Sequence, residues 1–273
     1  MPVAQALYWS AAITLLIVGT ILWIRALVGG GAQRWIDGSP RLPAWTIGWG
    51  DFLLLPFFTV VLLVFVTQGI SWLARVETTH PPSGTALLAA GYAMGLALTA
   101  AALLFRLLPT GHPGEGRESL LRSAGIGALG LVYFMPVCAL LAFGWSALIR
   151  ALGLPTDVQD AVRVIAATES PWMLAQWFFV VAVLAPVGEE LVFRAGFFRF
   201  LANRMRPTLA ATVSAALFAA MHWNLQAALP LFALGLALAH VYHRSGRILA
   251  AIVLHAAFNL NTLLSIISGV ATA

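Results

Sequence analysis

The stretch PWMLAQWFFVVAVLAPVGEELVFR, residues 171–194, decides how this chain folds. It carries no charge until Glu189 and Glu190 arrive together, with Arg194 just beyond. An uncharged apolar run of about 20 residues is what crosses a ~30 Å hydrocarbon core. A carboxylate near the middle of that core costs ~2.5 kcal/mol or more, so the pair demands a reason. On a helix the two glutamates point ~100° apart and cannot share one task. Glu190 and Arg194, spaced i, i+4, can pair on one face. Glu189 has no such local partner and is free to face an internal hollow, where a desolvated carboxylate serves as a general base. The competing reading is that both glutamates merely cap the span at the interface.

Working outward, the rest of the chain has the same character. Of 273 residues, 61% are hydrophobic and 9% are charged, far from the quarter charged that soluble domains show. Eight candidate spans follow: roughly Leu7–Val28, Phe52–Leu73, Gly84–Leu107, Ala124–Ile149, Pro171–Phe193, Leu209–Ala228, a short Pro230–Tyr242, and Ile248–Ile267. Pro/Gly breaks such as His80-Pro81-Pro82-Ser83-Gly84 and Pro109-Thr110-Gly111-His112-Pro113-Gly114 separate them. The expected fold is an all-α, polytopic transmembrane helix bundle. Residues 1–170 supply four mostly apolar spans, and 171–273 form a polar-cored helical part. The first apolar stretch has no preceding positive charge and is too long for a signal peptide, so it reads as a retained span.

All fifteen basic residues are arginine. With abundant alanine and leucine, this suggests a GC-rich bacterial genome and hence the bacterial plasma membrane. Twelve of the fifteen fall in alternate loops: Arg25, Arg34 and Arg41; Arg106, Arg117 and Arg122; Arg194, Arg199, Arg204 and Arg206; Arg244 and Arg247. Only Arg75, Arg150 and Arg163 lie in the others. The positive-inside rule then places the arginine-rich loops in the cytoplasm and both termini outside. The net charge of +5 therefore reflects topology, and no nucleic-acid partner is expected. Cys138, the single cysteine, excludes an internal disulfide and a multi-cysteine metal site.

Three later positions complete a reactive set. His222 ends the run Phe218-Ala219-Ala220-Met221-His222; His255 and Asn259 share one helix face at i, i+4, with Asn261 just beyond. With no water in the core, such groups must turn inward and find partners. Each alone reads as a structural hydrogen-bonding residue; three helices offering them together point to a site. Glu189 would take a proton from water, His222 would orient that water, and His255 and Asn259 would donate to a developing oxyanion, where one donor is worth ~3 kcal/mol. The set suits amide hydrolysis. A zinc ion held by Glu189, His222 and His255 is the competing version, and the residues leave the two open. Counting ~1.5 Å per residue from the arginine-rich ends puts His222 ~21 Å in and His255 ~12 Å in. Glu189 meets them only if its helix runs on past Phe193.

Glu189-Glu190-x-x-x-Arg194, Phe218-x-x-x-His222 and His255-x-x-x-Asn259, in that order on successive helices, resemble the three motifs of the CPBP intramembrane proteases. That family includes the type II CAAX prenyl endopeptidases and bacterial relatives linked to bacteriocin processing or self-immunity. The resemblance runs from about Pro171 to Ser268. It implies a CAAX-protease-like core with Glu189 as catalytic glutamate, His222 as its partner, His255 and Asn259 at the oxyanion, and Glu190 and Arg194 in support. It also implies a peptide or protein substrate at the membrane, with lipid as the other partner. Cleavage after a prenylated cysteine is not implied for a bacterial-looking chain.

Rival readings are weaker. Gly48-Trp49-Gly50-Asp51 matches the presenilin-type signature, but no second span supplies an aspartate, so Asp51 reads as an interfacial or helix-capping residue. His-Glu-x-x-His and Gly-x-Ser-Gly are missing from the sequence. A proton-coupled transporter should spread its charges over both halves. A non-proteolytic scaffold or immunity protein of the same family is the other alternative. His240 and His243 read as interfacial side chains or as the lining of an entrance.

Overall fold

The computed structural model describes residues 3–28, 42–73, 83–109, 114–156 and 159–270. Arg34, Arg41, Arg75 and the breaks at 80–82 and 110–113 lie outside them. The described chain is helical, without a strand. In order come α1 (Val3–Val28), the single turn α2 (Trp49–Phe52), α3 (Leu54–Leu73), α4 (Gly84–Arg106), α5 (Leu120–Ala151) and the short α6 (Asp160–Ala166). Next is α7, unbroken over 171–202, then α8 (Pro207–Ala220), α9 (Leu225–Ser245) and α10 (Ile248–Ile267). α1, α2–α3, α4, α5, α9 and α10 are each long and apolar enough to cross a bilayer, as an integral membrane protein requires. Leu7, Ile13, Ile17 and Ile21 of α1 and Phe57 and Phe65 of α3 stand exposed, as lipid-facing residues would.

Helix starts follow local chemistry. Ser83, Ser119 and Ser170 each accept a backbone N–H with the side-chain oxygen at the starts of α4, α5 and α7. Asp51 lies exposed in the first turn of α2, favourable for a negative charge. Two predicted boundaries need correction. The sixth span is the short one, ending at Ala220, and the seventh is full length from Leu225. Asn224 explains the shift: its Oδ1 accepts from Ala227 N at 2.7 Å, starting α9 well ahead of Pro230, which then sits inside the helix. Trp223 turns the chain there at φ 48°.

The core is made where α4, α5, α7, α8, α9 and α10 meet, around Leu98, Phe134, Phe193, Phe218, Leu238 and Leu254. The glutamate helix packs tightly on α4: a Cβ on Gly188 would lie 2.9 Å from Leu98 Cβ and 3.0 Å from Gly95 O. At one end of the bundle the arginine-rich loops gather. Arg199, fully buried, donates to Pro43 O at 2.6 Å, to Gly114 O at 3.4 Å and to the Tyr242 hydroxyl at 2.9 Å. Arg204 bonds Ile47 O, Arg247 pairs with Glu115 at 3.1 Å, and Gly116 N bonds Gly246 O at 2.7 Å. Loops that alternate along the sequence thus share one end, as alternating membrane crossings demand.

Candidate active site

The helix α7 brings the carboxylates to the core, and it is opened twice on the way. Around an α-helical stretch, Ala185–Val192, lie two π-helical turns, Val180–Leu184 and Phe193–Phe198. The first has a cause in the sequence. Pro186 has no N–H to donate, and Ala185 N bonds Val180 O, five residues back. Val181 O is therefore left without a donor from Ala185 or Pro186. Asn259 supplies one, its Nδ2 donating to Val181 O at 2.8 Å. Far from ending at Phe193, the helix continues to Ala202, the condition under which Glu189 can lie level with the histidines.

His255 is the junction. Its Nδ1 lies 2.8 Å from Glu190 Oε1, and its Nε2 lies 3.8 Å from Glu189 Oε2. Two carboxylates ~100° apart on one helix thus meet in one network after all, because a single imidazole reaches both. Glu190 Oε1 also pairs with Arg194 Nη1 at 3.0 Å, and both side chains are 0% exposed. Arg194 Nη2 reaches Gly235 O on α9 at 3.5 Å, and its guanidinium carbon sits 4.2 Å from the centre of the Phe218 ring. Each glutamate keeps a buried Oε2 without a hydrogen-bond partner, but Glu189 differs from its neighbour in being 16% exposed and in having no counterpart to the two bonds on Glu190 Oε1.

Phe218 lies in the last turn of α8 and His222 in the turn just beyond it. His222 Nδ1 lies 2.7 Å from Phe218 O, which makes Nδ1–H the donor and leaves Nε2 as the ring's other polar atom. The Phe218 ring stands edge-on to His222 at 4.8 Å and to His255 at 5.7 Å, so one phenyl group separates and orients both imidazoles. Among the described residues, no hydrogen bond or ion pair joins His222 to either glutamate. The structure thus unites Glu189, Glu190, Arg194 and His255 directly, and reaches His222 through Phe218. Asn259 it ties to the backbone. His240 and His243 lie in the last turns of α9, where the His243 ring packs on Phe198 at 6.0 Å.

The conditional zinc set of Glu189, His222 and His255 does not fit. Ligand atoms would have to converge to ~2.0–2.2 Å from one ion. His222 keeps Nε2 unengaged, but among the described residues no three His, Cys, Asp or Glu side chains stand so as to hold a metal. Sequence reasoning also missed Ser214, whose hydroxyl donates to Phe193 O at 3.1 Å, and Gly235, whose carbonyl receives Arg194. Neither carries a motif; the only legible signal was Pro186 inside an apolar helix.

Comparison with known proteins bears on this segment. Residues 171–261 match the model of the family described as type II CAAX prenyl endopeptidase Rce1-like. No curated protein and no solved structure matches the chain. The matched segment runs from the start of α7 to just beyond Asn259, and so contains both glutamates, both histidines and the asparagine. The third of the chain that carries the site is thus similar to the type II CAAX prenyl endopeptidase Rce1-like family.

Proposed function

We propose that this chain is an intramembrane endopeptidase that hydrolyses a peptide bond of a membrane-associated substrate with water activated by Glu189. The observation that carries the reading is the contrast between the two glutamates. Glu190 is fully buried and bound by Arg194 and His255, whereas Glu189 is partly exposed, with a free oxygen 3.8 Å from His255 Nε2. A water molecule bridging the two atoms fits that spacing, although Oε2 is itself buried. Glu189 takes its proton, the water oxygen attacks the substrate carbonyl carbon, and the carbonyl oxygen becomes an oxyanion. Asn259 keeps one amide hydrogen beyond the one given to Val181, and His255, with a proton on each ring nitrogen and Nδ1–H given to Glu190, adds Nε2–H; these two donate to that oxyanion. His222, with Nδ1–H committed to Phe218 O, offers Nε2 to the attacking water. The proton on Glu189 then passes to the leaving amine as the C–N bond breaks.

The test is cleavage of membrane-anchored peptides by purified protein in liposomes, read by mass spectrometry. Glu189→Gln should abolish cleavage while the protein remains folded; a folded Glu189→Gln variant that cleaves at the wild-type rate sinks the reading. A non-proteolytic scaffold is the second reading, favoured by the backbone bonds that occupy His222 and Asn259. It is supported if the wild-type protein cleaves nothing while partner binding survives Glu189→Gln.

A further inference from the structure

Each π turn in α7 adds one residue to the α-helical pattern, and so rotates everything beyond it. The first sets the direction of Ala185–Val192, and hence of Glu189 and Glu190; the second contains Arg194 itself. A π turn that migrates along a helix loses few backbone bonds, yet each residue of shift swings a side chain by ~100°. Contacts from outside the helix must therefore hold the turns in place. At the first turn Asn259 does so through Val181 O. At the second, Ser214 Oγ donates to Phe193 O, the first carbonyl of the turn, at 3.1 Å.

Ser214 is unusual in what it does with its hydroxyl. A serine inside a helix commonly returns the hydroxyl to the carbonyl four residues back. This one, 1% exposed, crosses to another helix instead. Ser214 and Phe218, at i and i+4, share a face of α8, and His222 lies in the turn just past its end. Phe218 on that face lies against Arg194, His222 and His255. One hydroxyl thus ties the α8 face to the turn that aims the Arg194–Glu190–His255 chain.

We propose that Ser214 is a positioning residue for the glutamate–histidine centre, its bond to Phe193 O fixing the second π turn and, through Arg194 and Glu190, the His255 ring. The kinetic part of its test rests on the peptidase reading; the spectroscopic part does not. In full-length protein in lipid nanodiscs, Ser214→Ala should lower kcat by roughly 10- to 100-fold with KM changed by less than about twofold. Ser214→Thr, which restores the hydroxyl, and Ser214→Cys, a bulkier and weaker donor, should recover activity in whole or in part. The ¹⁵N resonances of the His255 ring, assigned with His255→Gln, should move in Ser214→Ala and return in whichever variant restores the bond. If folded Ser214→Ala keeps wild-type kcat and wild-type His255 resonances, losing only thermal stability, the proposal is overturned. If the wild-type protein cleaves nothing but the His255 resonances still respond to Ser214→Ala, the peptidase reading falls and the positioning role stands.

Discussion

The carboxylate of Glu190 and the guanidinium of Arg194 meet at 3.0 Å with neither side chain exposed at all. In such surroundings an ion pair holds only while both partners are present, because removing one strands the other's charge. Arg194→Met should therefore destabilise the protein by ~3–5 kcal/mol, read as thermal unfolding in detergent micelles. Glu190→Gln combined with Arg194→Met should recover part of that loss. A single Arg194→Met variant as stable as wild type would show that the pair is screened by water.

Glu189 and Glu190 are neighbours in sequence with opposite surroundings, and equivalent substitutions should separate them. Glu189→Gln should leave unfolding within ~0.5 kcal/mol of wild type while removing activity. Glu190→Gln should depress both, since it frees Arg194 and releases His255 Nδ1. Equal stability loss in the two variants would contradict the contrast in burial.

Asn259 and Pro186 are coupled through one carbonyl. Asn259→Ala leaves the part-buried Val181 O without its side-chain donor, at a cost of ~1 kcal/mol. Pro186→Ala returns a backbone N–H next to the same turn and lets the helix close. The double variant should be more stable than the sum of its single effects predicts, a coupling of at least ~0.5 kcal/mol in a double-mutant cycle. Strict additivity would mean that the π turn does not depend on Pro186.

Gly188 lets α4 approach the glutamates. Its missing Cβ would stand 2.9 Å from Leu98 Cβ, 3.0 Å from Gly95 O and 3.1 Å from Thr99 Oγ1, two of them backbone or near-backbone atoms that cannot swing away. Gly188→Ala should cost ~1–3 kcal/mol and displace Glu189, lowering cleavage more than the lost folded fraction explains. Unchanged activity per folded molecule would mean that α4 yields instead.

Much of this was legible before the structure. Apolar runs and alternating arginines give the crossings, and the expected starts at Gly84 and Pro171 are those observed, whereas the start expected at Ala124 lies one turn earlier, after the Ser119 cap. The glutamates, the histidines and Asn259 declared themselves because polar groups in lipid need partners. What did not show is which partner each finds. That His255 touches both glutamates follows from the packing of α10 on α7, which no spacing within one helix encodes. The short α8 was hidden because Ala219–Ala228 stays largely apolar through the turn, and only Asn224 betrays the break. The π turns were hidden because π and α geometry share one residue alphabet; Pro186 hints at the first and nothing comparable marks the second.

The first helix stands apart from all of this. Gly19 is the only described residue of α1 that is buried, seated where a side chain would collide with Val132 O and Pro136 of α5. Trp23 adds one bond to Tyr133 O at 2.8 Å. Between helices already surrounded by lipid tails, attraction comes from close backbone approach, and α1 has a single point of it. Of the described helices, the one synthesised ahead of the others thus has the weakest claim on its neighbours. It must wait in the bilayer until α5 has been synthesised before it has anything to dock against.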